Sequence, residues 1–237
     1  MSEPAPRDTG ATIAAQYARR DACVDAQRYS LFDAAALHAY QERLRAMRGL
    51  WRAHGWSGLA GRCIVEVGCG SGGNLLDLLR LGAAAEGLTG IDLLPERVRA
   101  AQRCLPPAVR LLEGDAVDAG VVPGSQDAVL AFTVFSSLLE DAAQQRLAAA
   151  MWRWIKPGGG VLWYDFAVGN PRNPDVRGVP MRRVRALFPG ARLSAHRVTL
   201  LPPLARALGN ATPGLLPLLS ACMPFLKTHR LVWAVKS

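Results

Sequence analysis

The chain has 237 residues, 50% of them hydrophobic, and carries 28 Lys and Arg against 19 Asp and Glu, a formal net charge of +9. That is apolar material for one substantial α/β core, which excludes a disordered chain and a disulfide-stapled miniature. The five cysteines form no C-x-x-C pair and include an odd member, against a disulfide framework or a structural metal site and for a reducing compartment.

Residues 1–56 read as an N-terminal helical cap, rich in helix formers and carrying Tyr17, Tyr29, Leu31, Phe32, Leu37, Tyr40 and Leu44. Residues 1–17 hold no apolar signal-peptide core, so the expected location is the cytoplasm. Arg43, Arg45, Arg48 and Arg52 are expected on a solvated face of one helix, and His38 and His54 in packing or surface roles. The best basic patch, Arg182-Arg183-x-Arg185, lacks interleaved aromatics. A small molecule is therefore the expected partner, and nucleic acid is disfavoured.

Ile64-Val65-Glu66-Val67 joins a following helix through Gly68-Cys69-Gly70-Ser71-Gly72-Gly73-Asn74. Glycines there allow backbone to approach a ligand, and free N–H groups at the helix start point at it. Gly68, Gly70 and Gly73 also satisfy the G-x-G-x-x-G pattern, so the turn alone leaves a dinucleotide open. Glu66 separates the two, because a carboxylate at the end of an apolar strand is costly unless used. It would repel a pyrophosphate and attract a sulfonium or ammonium group. The motif Glu66-x-Gly68-x-Gly70-x-Gly72 resembles the first motif of class I S-adenosylmethionine (SAM) dependent methyltransferases. The resemblance implies SAM as cofactor, held by Glu66, Gly68, Cys69, Gly70 and Gly72, with Tyr29 of the cap reaching its methionine end.

Further landmarks follow in order. A second strand over residues 88–92 ends in Asp92, with Pro95 opening a helix; the spacing from the glycine turn is near the ~20 residues expected of a ribose-binding acid. The resemblance places the ribose on Asp92, beside Leu93. A third strand over residues 109–113 leads to Gly114-Asp115-Ala116, which resembles the family's adenine clamp: Asp115 for the amino group, the Ala116 N–H for a ring nitrogen. An ordinary Gly-Asp turn is the alternative there. The fourth strand, residues 127–132, runs into Thr133-Val134-Phe135-Ser136-Ser137, and Phe132 and Thr133 are expected in the cofactor wall. No Asn-Pro-Pro-Tyr or Asp-Pro-Pro-Tyr stands there, against methylation of base amines. Trp154-Ile155-Lys156-Pro157-Gly158-Gly159-Gly160 closes a helix before a fifth strand over residues 161–166.

Strand C-terminal ends form the ligand crevice of open α/β sheets, so Asp165 is the first choice for a general base or acceptor-orienting group, with a turn cap as its equal alternative. Tyr164 is expected beside the acceptor. Arg172 and Arg177, in a polar loop, would hold an acceptor carboxylate or phosphate, or else anchor the loop. Residues 207–226 hold no charge but contain Pro213, Pro217 and Pro224, which suit an apolar insertion between the last two strands better than a membrane span. That insertion is expected to line the acceptor pocket, or to serve as a dimer or peripheral membrane contact.

The expected architecture is a single domain over residues 1–237: the cap, a SAM-binding half over residues 57–166 and an acceptor-side half over residues 167–237. The resemblance implies a three-layer Rossmann-like fold with a seven-stranded mixed sheet whose last strand is antiparallel; residues 133–137 and 163–178 resemble a bacterial small-molecule branch. The expected reaction is methyl transfer without a metal to a hydroxyl on a small, hydrophobic or lipid-linked acceptor. C-methylation of a quinone- or polyketide-like ring, a SAM-binding scaffold without turnover, and a NAD-dependent oxidoreductase are the alternatives.

Overall fold

Residues 30–169, 173 and 175–237 are described by the computed structural model. Helix α1 (Ala34–Ala53) is capped by Asp33, whose side chain accepts the Ala36 N–H, and ends at His54. Then come β1 (Ile64–Val67), α2 (Gly73–Arg80), β2 (Leu88–Asp92), α3 (Pro95–Cys104) with proline in its first turn, β3 (Arg110–Glu113) and β4 (Gln126–Phe132). The second half holds α4 (Asp141–Trp154), β5 (Ile155–Phe166), α5 (Met181–Leu187), β6 (Arg192–Leu200), α6 (Pro202–Ala211), α7 (Leu216–Cys222) and β7 (Lys227–Val235).

The strands form one seven-stranded sheet in the order β3-β2-β1-β4-β5-β7-β6. The first five are parallel, and β7 runs antiparallel between β5 and β6. Side-chain alternation divides the core. Ile64, Leu130, Leu162 and Trp233 pack under α1 and α2, while Val65, Val129, Trp163 and Val232 pack under α4 and α5. The result is three layers, helix, sheet and helix, as the sequence leads one to expect.

Strand order reverses where β1 lies between β2 and β4, so the turns after β1 and β4 diverge and leave a crevice at the strands' C-terminal ends. The cap helix crosses this crevice. Its buried Met47, Leu50 and Trp51 join the core, and the Trp51 and Trp56 rings stack 5.4 Å apart against Trp233 of β7. Its polar side is latched as well. The Tyr40 hydroxyl donates to Asp77 Oδ1 on α2 at 2.6 Å, and Glu42 accepts from the Thr199 N–H and the Ser220 hydroxyl and pairs with Lys227 at 2.8 Å.

The apolar insertion lies between β6 and β7, as expected, and folds into α6, α7 and short 3-10 turns rather than one long helix. Its buried Ala205 and Leu216 make a small satellite core with Ala35 and Leu200. No helix among the described residues is long and apolar enough to cross a membrane.

Candidate active site

The glycine turn takes its shape from backbone that only glycine adopts easily: Gly68, Gly70 and Gly72 have φ of 68°, 55° and 86°. At two of them a side chain would also displace a neighbour, since a Cβ on Gly68 would lie 2.7 Å from Val134 Cγ2, and one on Gly72 2.6 Å from Leu105 Cδ1. Asp92 holds the turn in place, its Oδ2 accepting the Gly70 N–H at 2.8 Å and its Oδ1 the Leu94 N–H at 3.0 Å. The acid expected to bind ribose thus also ties the turn after β1 to the one after β2. Each oxygen retains a lone pair for a hydroxyl.

Two depressions meet at Gly68. The first, of about 110 Å³, is lined by Gly68, Asp92, Leu93, Asp115, Ala116 and Val134, with Leu138, Arg146 and Leu147 from beyond β4. Asp115 Oδ1 accepts the Val117 N–H at 2.9 Å, so this residue both caps a 3-10 turn and borders the slot. The second, of about 430 Å³, is lined by Gly68, Cys69, Gly70, Ser71, Gly73, Asn74, Phe132, Thr133, Tyr164, Arg97 and Arg43. Together they run continuously across the C-terminal ends of β2, β1, β4 and β5.

Arg43 corrects the expectation of a solvated arginine face on α1. Its guanidinium lies 5.5 Å from the Phe132 ring centroid and 5.4 Å from that of Tyr164, and donates to Asn74 Oδ1 at 3.3 Å. His38, also placed at the surface or in packing, is buried with Nε2 unpartnered.

Glu66 is wholly buried behind the glycine turn. Its Oε1 accepts from the Asn74 amide, while Oε2 has no partner. Burial pushes its carboxyl up to about 8, against the pull of the Asn74 hydrogen bond and the Arg43 charge. The side chain lines neither depression, whereas Asn74, which donates to it, lines the larger one. Cys69 fills space at the turn, and burial holds its thiol protonated by raising its pKa far above the ordinary value.

Tyr164 is gripped from both ends. Its carbonyl accepts the Thr133 N–H at 2.7 Å and its hydroxyl meets Thr199 Oγ1 at 2.8 Å. Both threonines adopt positive φ, 57° and 65°, in the left-handed region that β-branched residues rarely enter. His229 stacks on the ring at 4.9 Å, and burial drops its imidazole to about 4, so it is neutral near pH 7. These supports were missed in the sequence, because β5, β6 and β7 meet only in the folded sheet.

Two expected acceptor groups sit elsewhere. Asp165 is fully buried on the α4 face of β5, its Oδ2 accepting the Ser136 N–H and its Oδ1 the Phe166 N–H, both at 2.9 Å. It braces the turn after β4 and lines neither depression, which favours the turn-cap alternative over a general base. Arg177 donates to Leu139 O at 2.9 Å and pairs with Asp141, anchoring its own segment to the start of α4. Tyr29 and Arg172 lie outside the described residues. No side chain of residues 207–226 lines either depression, in place of the expected acceptor pocket. Among the described residues no cluster of side chains suits a metal ion.

The parallel sheet with its antiparallel β7, the glycine turn and the acid ending β2 define the class I, Rossmann-like methyltransferase fold. Residues 64–159 match the family model described as a methyltransferase domain, so this part of the chain is a methyltransferase domain, of the kind that uses SAM as its cofactor. No curated protein sequence matches the chain. Among solved structures, an S-adenosylmethionine dependent methyltransferase from Mesorhizobium loti is 17% identical with a TM-score of 0.58, over 81% of this chain and 95% of that one. Geranyl diphosphate C-methyltransferase from Streptomyces coelicolor A3(2) is also 17% identical, with a TM-score of 0.64 over 99% of this chain and 100% of that one. Phosphoethanolamine N-methyltransferase 2 from Haemonchus contortus is 15% identical, with a TM-score of 0.57 over 89% of this chain and 59% of that one. At these identities the likeness is one of fold.

Proposed function

We propose that the chain transfers the SAM methyl group to an acidic hydroxyl on a small, largely apolar acceptor. The observation that carries this reading is the wall of the larger depression: Phe132 and Tyr164 rings 5.4 Å apart, with no carboxylate or imidazole among its lining side chains. In this reading the adenine and ribose occupy the narrow slot along Asp92, Leu93, Asp115 and Ala116. The methionine end crosses the glycine turn, its carboxylate toward Arg43. The acceptor rests against Phe132, Thr133 and Tyr164.

The sulfonium already activates the methyl, so the protein chiefly holds the acceptor oxygen ~3–3.5 Å from it, in line with the S–C bond and away from water. An oxygen lone pair forms the new C–O bond as the C–S bond breaks, leaving S-adenosylhomocysteine. A phenol or enol acidic enough to ionise near neutral pH releases its proton to solvent before attack, so no side chain need remove it. Burial raises the Tyr164 hydroxyl above its ordinary value, which keeps it a hydrogen-bonding group and not a base.

Transfer to carbon is the second reading. One fold likeness that extends over 99% of this chain is to a protein described as a C-methyltransferase, and the same aromatic wall suits a π nucleophile. The first test is calorimetric titration with SAM, S-adenosylhomocysteine and NAD in parallel, followed by transfer of labelled methyl from SAM to panels of apolar phenols, enols and isoprenoid diphosphates. Labelled O-methyl product supports the proposal and labelled C-methyl product the second reading. Binding of S-adenosylhomocysteine with no transfer to any panel would favour a scaffold without turnover.

A further inference from the structure

We infer that the end of the molecule formed by the start of α1 with α6 and α7 docks on an anionic membrane surface. Ten large hydrophobic side chains are exposed among the described residues, and seven of them fall in residues 31–37 and 201–225, with Phe32, Leu218 and Phe225 at 100%, 62% and 66% exposure. The other three, Val122, Leu139 and Val168, are scattered. The seven belong to one end of the fold. Gly209 of α6 lies so close to α1 that a Cβ on it would be 3.2 Å from the Ala35 nitrogen, and Ala35, Leu200, Ala205 and Leu216 share a buried cluster beneath. A concentration of this kind marks an interaction surface, whereas single exposed apolar residues do not.

Charge chooses the partner. Residues 207–226 contain no charged side chain. The exposed stripe of α1 passes from Leu37 and Gln41 to Arg45, Arg48 and Arg52, so it is apolar near the tip and basic behind it. Among the described residues the acids of this end are Glu42, which pairs with Lys227, and Asp33, which caps the α1 N-terminus. A second copy would set one +9 chain against another, whereas an anionic bilayer attracts the basic stripe while the apolar tip enters the headgroup boundary. With α6 and α7 only 10 and 7 residues long, the contact lies on the membrane and does not cross it.

The docked end adjoins the acceptor wall. Strand β7 leaves α7 through a short 3-10 turn and, two residues after Lys227, presents the His229 ring that stacks on Tyr164. Delivery of an acceptor from the membrane into the cleft rests on the function proposed above; docking itself does not.

The test is cosedimentation of the full chain with vesicles of phosphatidylcholine alone and of an equimolar mixture with phosphatidylglycerol, alongside the double variant Leu218→Ser with Phe225→Ser. The wild type should bind only the mixed vesicles and release as salt is raised. The double variant should bind about tenfold more weakly or less, with unchanged affinity for S-adenosylhomocysteine as the sign of an intact fold. Equal binding by the variant, or none by the wild type to mixed vesicles, would overturn the inference. So would a wild-type dimer that the variant dissociates, which makes a second copy the occupant, or vesicle binding that appears only after removal of residues 1–29. Vesicle binding without affinity for S-adenosylhomocysteine would instead count against the proposed function and leave the docking standing.

Discussion

A carboxylate with one oxygen unpartnered inside the protein gives the chain's stability a definite pH slope. Glu66 has an ordinary value of 4.5 and a folded value of about 8, so the folded state holds its proton more tightly than the unfolded state. Its charge costs nothing below about 4.5, and the cost grows as pH rises and is complete above about 8. Glu66→Gln should therefore raise the thermal midpoint of the ligand-free protein at pH values above 8 and leave it nearly unchanged near pH 5; scanning calorimetry at both checks this. Asp165, raised from 3.8 to about 6 by burial, has the same sign over that lower window. Asp165→Asn sets an amide N–H against the Ser136 or Phe166 N–H, costing about 1–3 kcal/mol in urea unfolding while kcat below the transition is unchanged. A large loss of kcat in folded protein would return Asp165 to catalysis. Arg43→Met should weaken S-adenosylhomocysteine roughly 10–100-fold by calorimetry, the scale of a hydrogen-bonded charge at about 1.5–3 kcal/mol.

At the scale of elements, α1 is held by its apolar face and by the Glu42 clamp on β6, α7 and Lys227. Glu42→Ala leaves Lys227 and the Thr199 N–H without their acceptor. It should cost about 3 kcal/mol and speed amide exchange across residues 34–53 before the central strands, measured by hydrogen exchange and mass spectrometry. This helix was the least legible element in the sequence: Arg43, Arg45, Arg48 and Arg52 look alike as a pattern, and only the tertiary crossing sends Arg43 inward. The glycine turn was legible because positive φ is a local demand that glycine answers best. Pro95 marked the start of α3 for the same reason. The misplaced Asp165 shows the limit. Being at the end of β5 was correctly read, but alternation turns Tyr164 and Phe166 toward the cap and Asp165 toward α4.

For the molecule as a whole, the seven-stranded mixed sheet and its antiparallel β7 followed from the family resemblance, since nothing in the pattern of residues 227–235 states a direction. The satellite core beneath residues 207–226 was illegible because Ala35 and Leu216 are far apart in sequence. Ligand and fold are linked in the same global way. S-adenosylhomocysteine at about 100 times its dissociation constant should add about 2.7 kcal/mol and raise the thermal midpoint by roughly 5–10 °C, which differential scanning fluorimetry reads directly. No shift with this ligand would contradict the cofactor site.

The indoles that seat the cap have an optical consequence. Trp51 and Trp56 stack at 5.4 Å with an interplanar angle of 14°, and Trp233 meets them edge-on at 6.3 and 5.5 Å. Chromophores this close share their excited states, so the folded chain should carry an exciton couplet in its circular dichroism. Because one partner rides on α1 and another on β7, the couplet's amplitude is a label-free gauge of cap seating, readable in stopped flow as ligand or vesicles are mixed in.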